Sequence, residues 1–326
     1  MAAKTMQAFC YEGYGGGAAA LKKVEIPVPV PKEGEILVKV EAASVNPCDW
    51  KIQSGLMKPS IPKFPCVPLT DIVGVVVNVG LGVDDFKPGD RIVSLLHYWI
   101  AGGLAEYAVA PANQAVKLPR EVSPVQASGL PVAATTALKA LQLVGTKFDG
   151  TGKHLNVLIT VASGGVGLYA VQLAKLGNLH VTATCGARNI NLIKSLGADE
   201  VLDYKTPEGA SLKSPSGKKY DLVIYGSEGI TWSIFEPNLS ENGKVIDLNP
   251  VFPNVVSSLE ETPFPKKQLI PFMMKLSKED LELLVGLVKE GKLKTIIDSK
   301  HPFDKALNAW AISMEGHATG KIIIEM

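Results

Sequence analysis

Cysteine is scarce in this 326-residue chain: Cys10, Cys48, Cys66 and Cys185 lie far apart, with no C-x-x-C pair. Such spacing argues against a disulfide framework and fits thiols kept in a reducing compartment. An excess of charge of one sign is lacking too. Lys and Arg number 33 against 32 Asp and Glu, a formal net charge of +1, and no dense basic stripe is present. Neither nucleic acid nor an anionic membrane surface is recruited by a field that small. No run approaches the roughly 18 to 20 apolar residues of a membrane span, so no integral membrane segment is expected. The first residues hold no apolar run suited to a signal peptide and lead straight into strand-like sequence, without room for a separate transit peptide.

What is present is apolar and turn-rich. Hydrophobic residues make up 46% and charged residues 20%, with 31 Gly and 22 Pro, a composition that buries large cores and excludes a disordered chain. The length points to two domains. The first third reads as short strands at 35–40, 72–79, 90–95 and 105–109, separated by Pro- and Gly-rich turns. Gly74 interrupts the second of these, as a bend or a close backbone approach requires. After about residue 125 the pattern changes. Ser123 caps a helix starting at Pro124, and strands at 155–161, 179–184, 221–225 and 244–248 then alternate with helices at 166–176 and 189–196. This rhythm is that of an α/β protein with a doubly wound parallel sheet. An amphipathic helix near 281–289 and a strand at 321–325 close the chain.

The most informative segment is Ala162-Ser163-Gly164-Gly165-Val166-Gly167, which follows a buried strand and opens a helix. Gly164 lets backbone approach a pyrophosphate, Gly167 permits close helix–strand packing, and the helix N-terminus offers N–H groups to the anion. Ala162 departs from the usual first glycine. An NAD site places an acid about 20 residues along, at the end of the second strand. Here that strand runs into Cys185-Gly186-Ala187-Arg188, with no acid before Asp199. Arg188 suits a 2′-phosphate, so NADPH is the expected cofactor; the alternative is that Arg188 is a solvated residue of the first helical turn.

Asn46-Pro47-Cys48-Asp49-Trp50-Lys51, Asp71-Ile72-Val73-Gly74, Gly103-Leu104-Ala105-Glu106-Tyr107 and the glycine turn together resemble the zinc-independent quinone oxidoreductase branch of the medium-chain dehydrogenase/reductase superfamily. The runs 195–209 and 317–322 are similar to the plant chloroplast-envelope quinone oxidoreductase homologues, and the resemblance covers essentially the whole chain. It implies a GroES-like β-barrel domain at 1–124, a Rossmann domain at 125–297, and a return to the barrel at 298–326, with the active site in the cleft between. By the same resemblance Asn46 and Lys51 face the nicotinamide and ribose, Thr136 borders the cleft, and Tyr204 lies near the adenosine phosphate; helix packing for Thr136 and β-edge packing for Tyr204 are the alternatives. Tyr225 and Leu248, at strand C-terminal ends, complete the cofactor set. A homodimer or a monomer is implied, in the cytoplasm or, as for the plant relatives, in the chloroplast without a cleavable peptide.

Zinc-containing relatives hold their catalytic metal with Cys, His and Glu. The matching positions are Asn46, Thr70 and Asp71, a poor zinc set, and no cysteine lies between Cys66 and Cys185 to build a structural zinc lobe. The expectation is a metal-free enzyme. Without a Lewis acid, alcohol oxidation loses its usual means of polarising oxygen, whereas hydride transfer to an α,β-unsaturated carbonyl or a quinone remains feasible. Asn46 and Tyr98 are the expected catalytic residues, Tyr98 as a phenol able to donate a proton. His97, Trp99, Leu168 and Asn249 differ from the close relatives and are read as a reshaped substrate pocket; neutral drift in loops is the alternative. Two further readings stay open: a specialised-metabolism enzyme acting by iminium reduction or redox-neutral cyclisation, and a non-catalytic NADPH-binding protein.

Overall fold

A computed structural model describes residues 4–56, 63–97, 100–249 and 266–326. The chain divides into two compact units, 1–135 with 276–326, and 136–275. Both boundaries read from the sequence, 124/125 and 297/298, fall inside the first of these units. The reason is packing: helix α1 of the 276–326 segment, Lys278–Lys289, lies against the 130–134 helical turn and the strand Ala115–Lys117 of the first unit.

The first unit is built on a seven-stranded, largely antiparallel sheet among the described residues. Its central strands are Glu35–Val45, Asp71–Val79 and Arg91–Leu95. The eleven-residue strand Glu35–Val45 is long enough to serve three neighbours: Tyr107–Pro111 along its first half, Asp71–Val79 along most of its length, and the C-terminal strand Lys321–Glu325 at its end. Gly74 stands opposite Val40, where a Cβ would sit 2.1 Å from the Lys39 carbonyl oxygen. Close approach, of the two readings, is what requires glycine there. Alternation puts Ile36, Val38, Ile72 and Ile92 into one core, which Trp310 caps from the helix Ala306–Glu315. Trp310 Nε1 donates to Gln53 Oε1 at 3.1 Å, so the only polar atom of that buried indole is satisfied.

Among the described residues the second unit is a six-stranded sheet, parallel throughout. Its strands are β1 Asn156–Ile159, β2 His180–Cys185, β3 Glu200–Asp203, β4 Tyr220–Tyr225, β5 Leu239–Asp247 and β6 Gln268–Pro271. The spatial order is β3-β2-β1-β4-β5-β6. Chain direction across the sheet reverses between β1 and β4, the place where doubly wound sheets bind ligands at the strand C-termini. Helix α2, Gly165–Leu176, crosses from β1 to β2 and buries eight consecutive residues from Gly167 to Ala174. Among the described residues no helix is long and apolar enough to cross a membrane.

Candidate functional site

The chemistry-bearing residues collect at two places, one in each unit. In the second unit the C-terminal edge of the sheet carries the glycine turn. Gly164 caps α2, and the helical ladder begins when the Leu168 N–H donates to the Gly164 carbonyl at 3.0 Å. The preceding N–H groups of the first turn are left to an external acceptor, as at any helix N-terminus. Space requires glycine at one position of the turn and leaves little room at another. A Cβ at Gly167 would lie 2.4 Å from the Val161 carbonyl oxygen and 2.6 Å from Ala162 Cα, and one at Gly164 would lie 3.3 Å from the same oxygen. Ala162 is fully buried and donates its N–H to the Thr184 carbonyl at 2.9 Å, so the alanine in place of the first glycine packs inward without narrowing the turn. Val161 takes a left-handed φ of 52°, rare for a β-branched residue. The cradle fits a dinucleotide pyrophosphate.

Beside it, β2 ends at Cys185 and Gly186 leads into a turn at Ala187–Asn189. Arg188 is exposed there, and the half-exposed Tyr204 ring covers Gly186, its Cε1 3.6 Å from where a Cβ would be. The acid at this edge is Asp203, paired with Cys185, whereas Asp199 sits at the opposite end of the two strands, beside Val181. Asp203 Oδ1 accepts the Lys205 N–H at 3.0 Å. Asp199 accepts from Lys175 Nζ and the Val181 N–H, both at 2.8 Å, and these contacts hold its carboxyl below the usual range against partial burial.

Ser163, Gly164, Gly165 and Val166 are all partly exposed along this edge. Asn249 Nδ2 donates to the Gly226 carbonyl at 2.7 Å, which fixes the loop after β5 against the end of β4, and Leu248 borders Gly226. Three other expected residues turn inward. Cys185 is 1% exposed, and burial pushes its thiol up to about 11, so only its backbone reaches the edge. Tyr225 stacks edge-on against Phe235 at 5.1 Å and accepts the Ile230 N–H at 3.1 Å; its side chain belongs to the core. Leu168 is 2% exposed inside α2, in helix–sheet packing. Thr136 is likewise buried.

The first unit holds the second assembly, a buried polar centre. Asp71 Oδ2 accepts from Ser44 Oγ and from Asn46 Nδ2, both at 2.9 Å, and its Oδ1 accepts the Val132 N–H at 3.1 Å. Asn46 also donates its backbone N–H to Asp49 Oδ2 at 2.7 Å, where the helix Pro47–Ser54 begins. Lys321, 3% exposed, donates to Asn46 Oδ1 and stands 3.9 Å from Asp71 Oδ2. Burial pushes the Asp49 carboxyl up to about 7, with the Asn46 N–H pulling the other way. Burial likewise raises Asp71 and lowers Lys321, while the opposite charges of that pair favour each other. The Thr70 hydroxyl is buried without a hydrogen-bond partner among the described residues.

A catalytic zinc does not fit this centre. A divalent ion would have to displace three hydrogen bonds from Asp71 and approach an ammonium, with only neutral oxygens from Asn46 and Thr70 to complete its shell. Of the remaining expected residues, Lys51 is half-buried with its ammonium 5.7 Å from the Trp50 ring centroid, and His97 is exposed, its carbonyl accepting the Ile100 N–H at 3.0 Å. Tyr98 and Trp99 lie outside the described residues. Lys321 was missed as a site residue. A lysine heading the otherwise apolar run Ile322-Ile323-Ile324 is the signal that marks it.

Residues 32–120 match the alcohol dehydrogenase GroES-like domain and residues 196–324 the zinc-binding dehydrogenase domain. The chain is 60% identical over 329 residues to the chloroplast envelope quinone oxidoreductase homolog of Arabidopsis thaliana, covering all of both chains. It is 33% identical to the chloroplastic NADPH-dependent alkenal/one oxidoreductase of the same plant, over 98% of this chain and 80% of that one. Among solved structures, the quinone oxidoreductase from Coxiella burnetii superposes with a TM-score of 0.88 at 27% identity, over 99% of this chain and 100% of that one.

Proposed function

The chain belongs to the medium-chain dehydrogenase/reductase superfamily and is an NAD(P)H oxidoreductase, and from that premise we propose that it is an NADPH-dependent, zinc-independent reductase of α,β-unsaturated carbonyls or quinones. The observation that carries the reading is the buried centre of the first unit, where Asn46, Thr70 and Asp71 stand at the positions matched to zinc ligands and the Lys321 ammonium lies beside them.

NADPH, when bound, supplies the hydride. The N-terminus of α2 and the glycine turn hold its pyrophosphate, and Arg188 with Tyr204 binds the phosphorylated adenosine end. Asn46 orients the acceptor by a hydrogen bond to the carbonyl or quinone oxygen, where negative charge develops during reduction. A conjugated acceptor spreads that charge over its own π system, so a hydrogen-bond donor suffices where an alcohol dehydrogenase needs a metal. The name of the Arabidopsis relative supports the chloroplast, rather than the cytoplasm, as the compartment.

The test is NADPH consumption by the purified protein across a panel of enones, quinones and iminium compounds, before and after exhaustive chelation. Turnover of enones or quinones that survives chelation is expected. Activity confined to iminium compounds, or lost with stoichiometric zinc, would overturn the reading.

A further inference from the structure

Lys321 gives the buried centre a cation of its own. Its ammonium donates to Asn46 Oδ1 at 2.5 Å and to the Val45 carbonyl at 3.4 Å, and lies 3.9 Å from Asp71 Oδ2. These neighbours leave the Asn46 carboxamide one orientation. An ammonium only donates, so Oδ1 faces Lys321; an ionised carboxylate only accepts, so Nδ2 faces Asp71. Nδ2 carries two hydrogens, and Asp71 takes one of them at 2.9 Å. A positive charge hydrogen-bonded to an amide oxygen withdraws electron density from the amide nitrogen, which makes the second N–H a stronger donor.

We propose that Lys321 is a positioning residue which, acting through the Asn46 carboxamide, turns the second Nδ2 hydrogen into the donor for the oxygen that gains negative charge on reduction. The cation's effect reaches substrate through an amide instead of through a metal–oxygen bond. Lys321 makes and breaks no covalent bond, and its proton stays where it is. Asp71 has the complementary part: its three hydrogen bonds hold it in place as the counter-charge that keeps a lysine in a buried strand. The proposal rests on the reading of Asn46 given under Proposed function.

The variants are Lys321→Met, which keeps length and removes charge, Lys321→Arg, which keeps charge, and Asn46→Ala. Lys321→Met strands the Asp71 carboxylate, so the charge-balanced Asp71→Asn/Lys321→Met protein is measured beside it. With NADPH and 2-cyclohexenone or a benzoquinone, kcat should fall about tenfold or more in both, while KM for NADPH stays within about twofold and Lys321→Arg recovers part of the loss. Adding Lys321→Met to Asn46→Ala should change kcat by less than about twofold, because the lysine acts through the amide. Independently of turnover, the Asn46 side-chain NH2 signals, assigned by their absence from the ¹H–¹⁵N spectrum of Asn46→Ala, should move upfield in both Lys321→Met proteins. An unmoved Asn46 signal, or losses that multiply in the Asn46→Ala/Lys321→Met protein, would overturn the proposal. Signals that move in a protein reducing neither acceptor would support the clamp and defeat the assigned reaction.

Discussion

Thr160 Oγ1 accepts the Gly226 N–H at 2.9 Å and lies 3.3 Å from the Ile224 carbonyl, tying the end of β1 to the end of β4. Those two strands flank the point where the sheet reverses its order, and the hydroxyl adds to the Thr160 N–H, which donates to the Ile224 carbonyl at 3.0 Å, in holding the edge on which the glycine turn sits. Thr160→Val keeps the shape and leaves the Gly226 N–H unpaired. The variant should lose about 1–2 kcal/mol of stability and bind NADPH more weakly, read by urea unfolding and by titration of cofactor fluorescence.

Gly167→Ala should be damaging out of proportion to one methyl group. The added Cβ meets the Val161 carbonyl oxygen and Ala162 Cα, both backbone atoms of the turn itself, at 2.4 and 2.6 Å. Overpacking of that kind costs about 2–3 kcal/mol, and relief by moving the turn would spoil the pyrophosphate cradle. Thermal melts with and without NADPH check both effects: the midpoint should drop, and the cofactor should no longer raise it.

Arg188→Ala separates the two nicotinamide cofactors. Losing a guanidinium partner of the 2′-phosphate should weaken NADPH binding by about 1.5–3 kcal/mol, with little change for NADH. Equilibrium titration of each cofactor measures the ratio. Equal losses for both would show that Arg188 does not read the phosphate.

Glu200 gives a pH signature within the second unit. It accepts from Ser214 Oγ at 2.6 Å, Thr182 Oγ1 at 2.9 Å and the Ser216 N–H at 3.0 Å. Partial burial raises its pKa, yet these donors outweigh that effect and bring the carboxyl down to about 2, from an ordinary value of 4.5. A folded pKa below the unfolded one means that the unfolded chain binds the proton first. The stabilisation is therefore complete above pH 4.5 and lost as pH falls toward 2. Glu200→Gln should be less stable by about 1–3 kcal/mol at neutral pH, and the gap should close in acid, as denaturant melts across the range will show.

Much of this protein is determined locally and is legible in the order of its residues. The final strand, Lys321–Glu325, lies at 321–325 as its apolar run requires, and Ser123 Oγ accepts the Gln126 N–H at 3.3 Å in front of Pro124, as a helix cap does. Ser163 to Gly167 need a strand before them and a helix after them, and both are local. The same holds for the absence of an acid after β2, because a strand end and the residues following it are neighbours in the chain. The buried centre is another matter. Asn46 and Asp71 are 25 residues apart, and Lys321 is 275 from Asn46. They meet because Glu35–Val45 pairs with Asp71–Val79 on one side and with Lys321–Glu325 on the other. Side-chain type foretold neither the inward turn of Tyr225 nor that of Leu168, because which face of a strand or helix is covered depends on what packs there. Periodicity and turn chemistry act over a few residues and can be read in sequence. The pairing of charges in a low-dielectric interior depends on strand register between distant segments, and only the assembled sheet decides that.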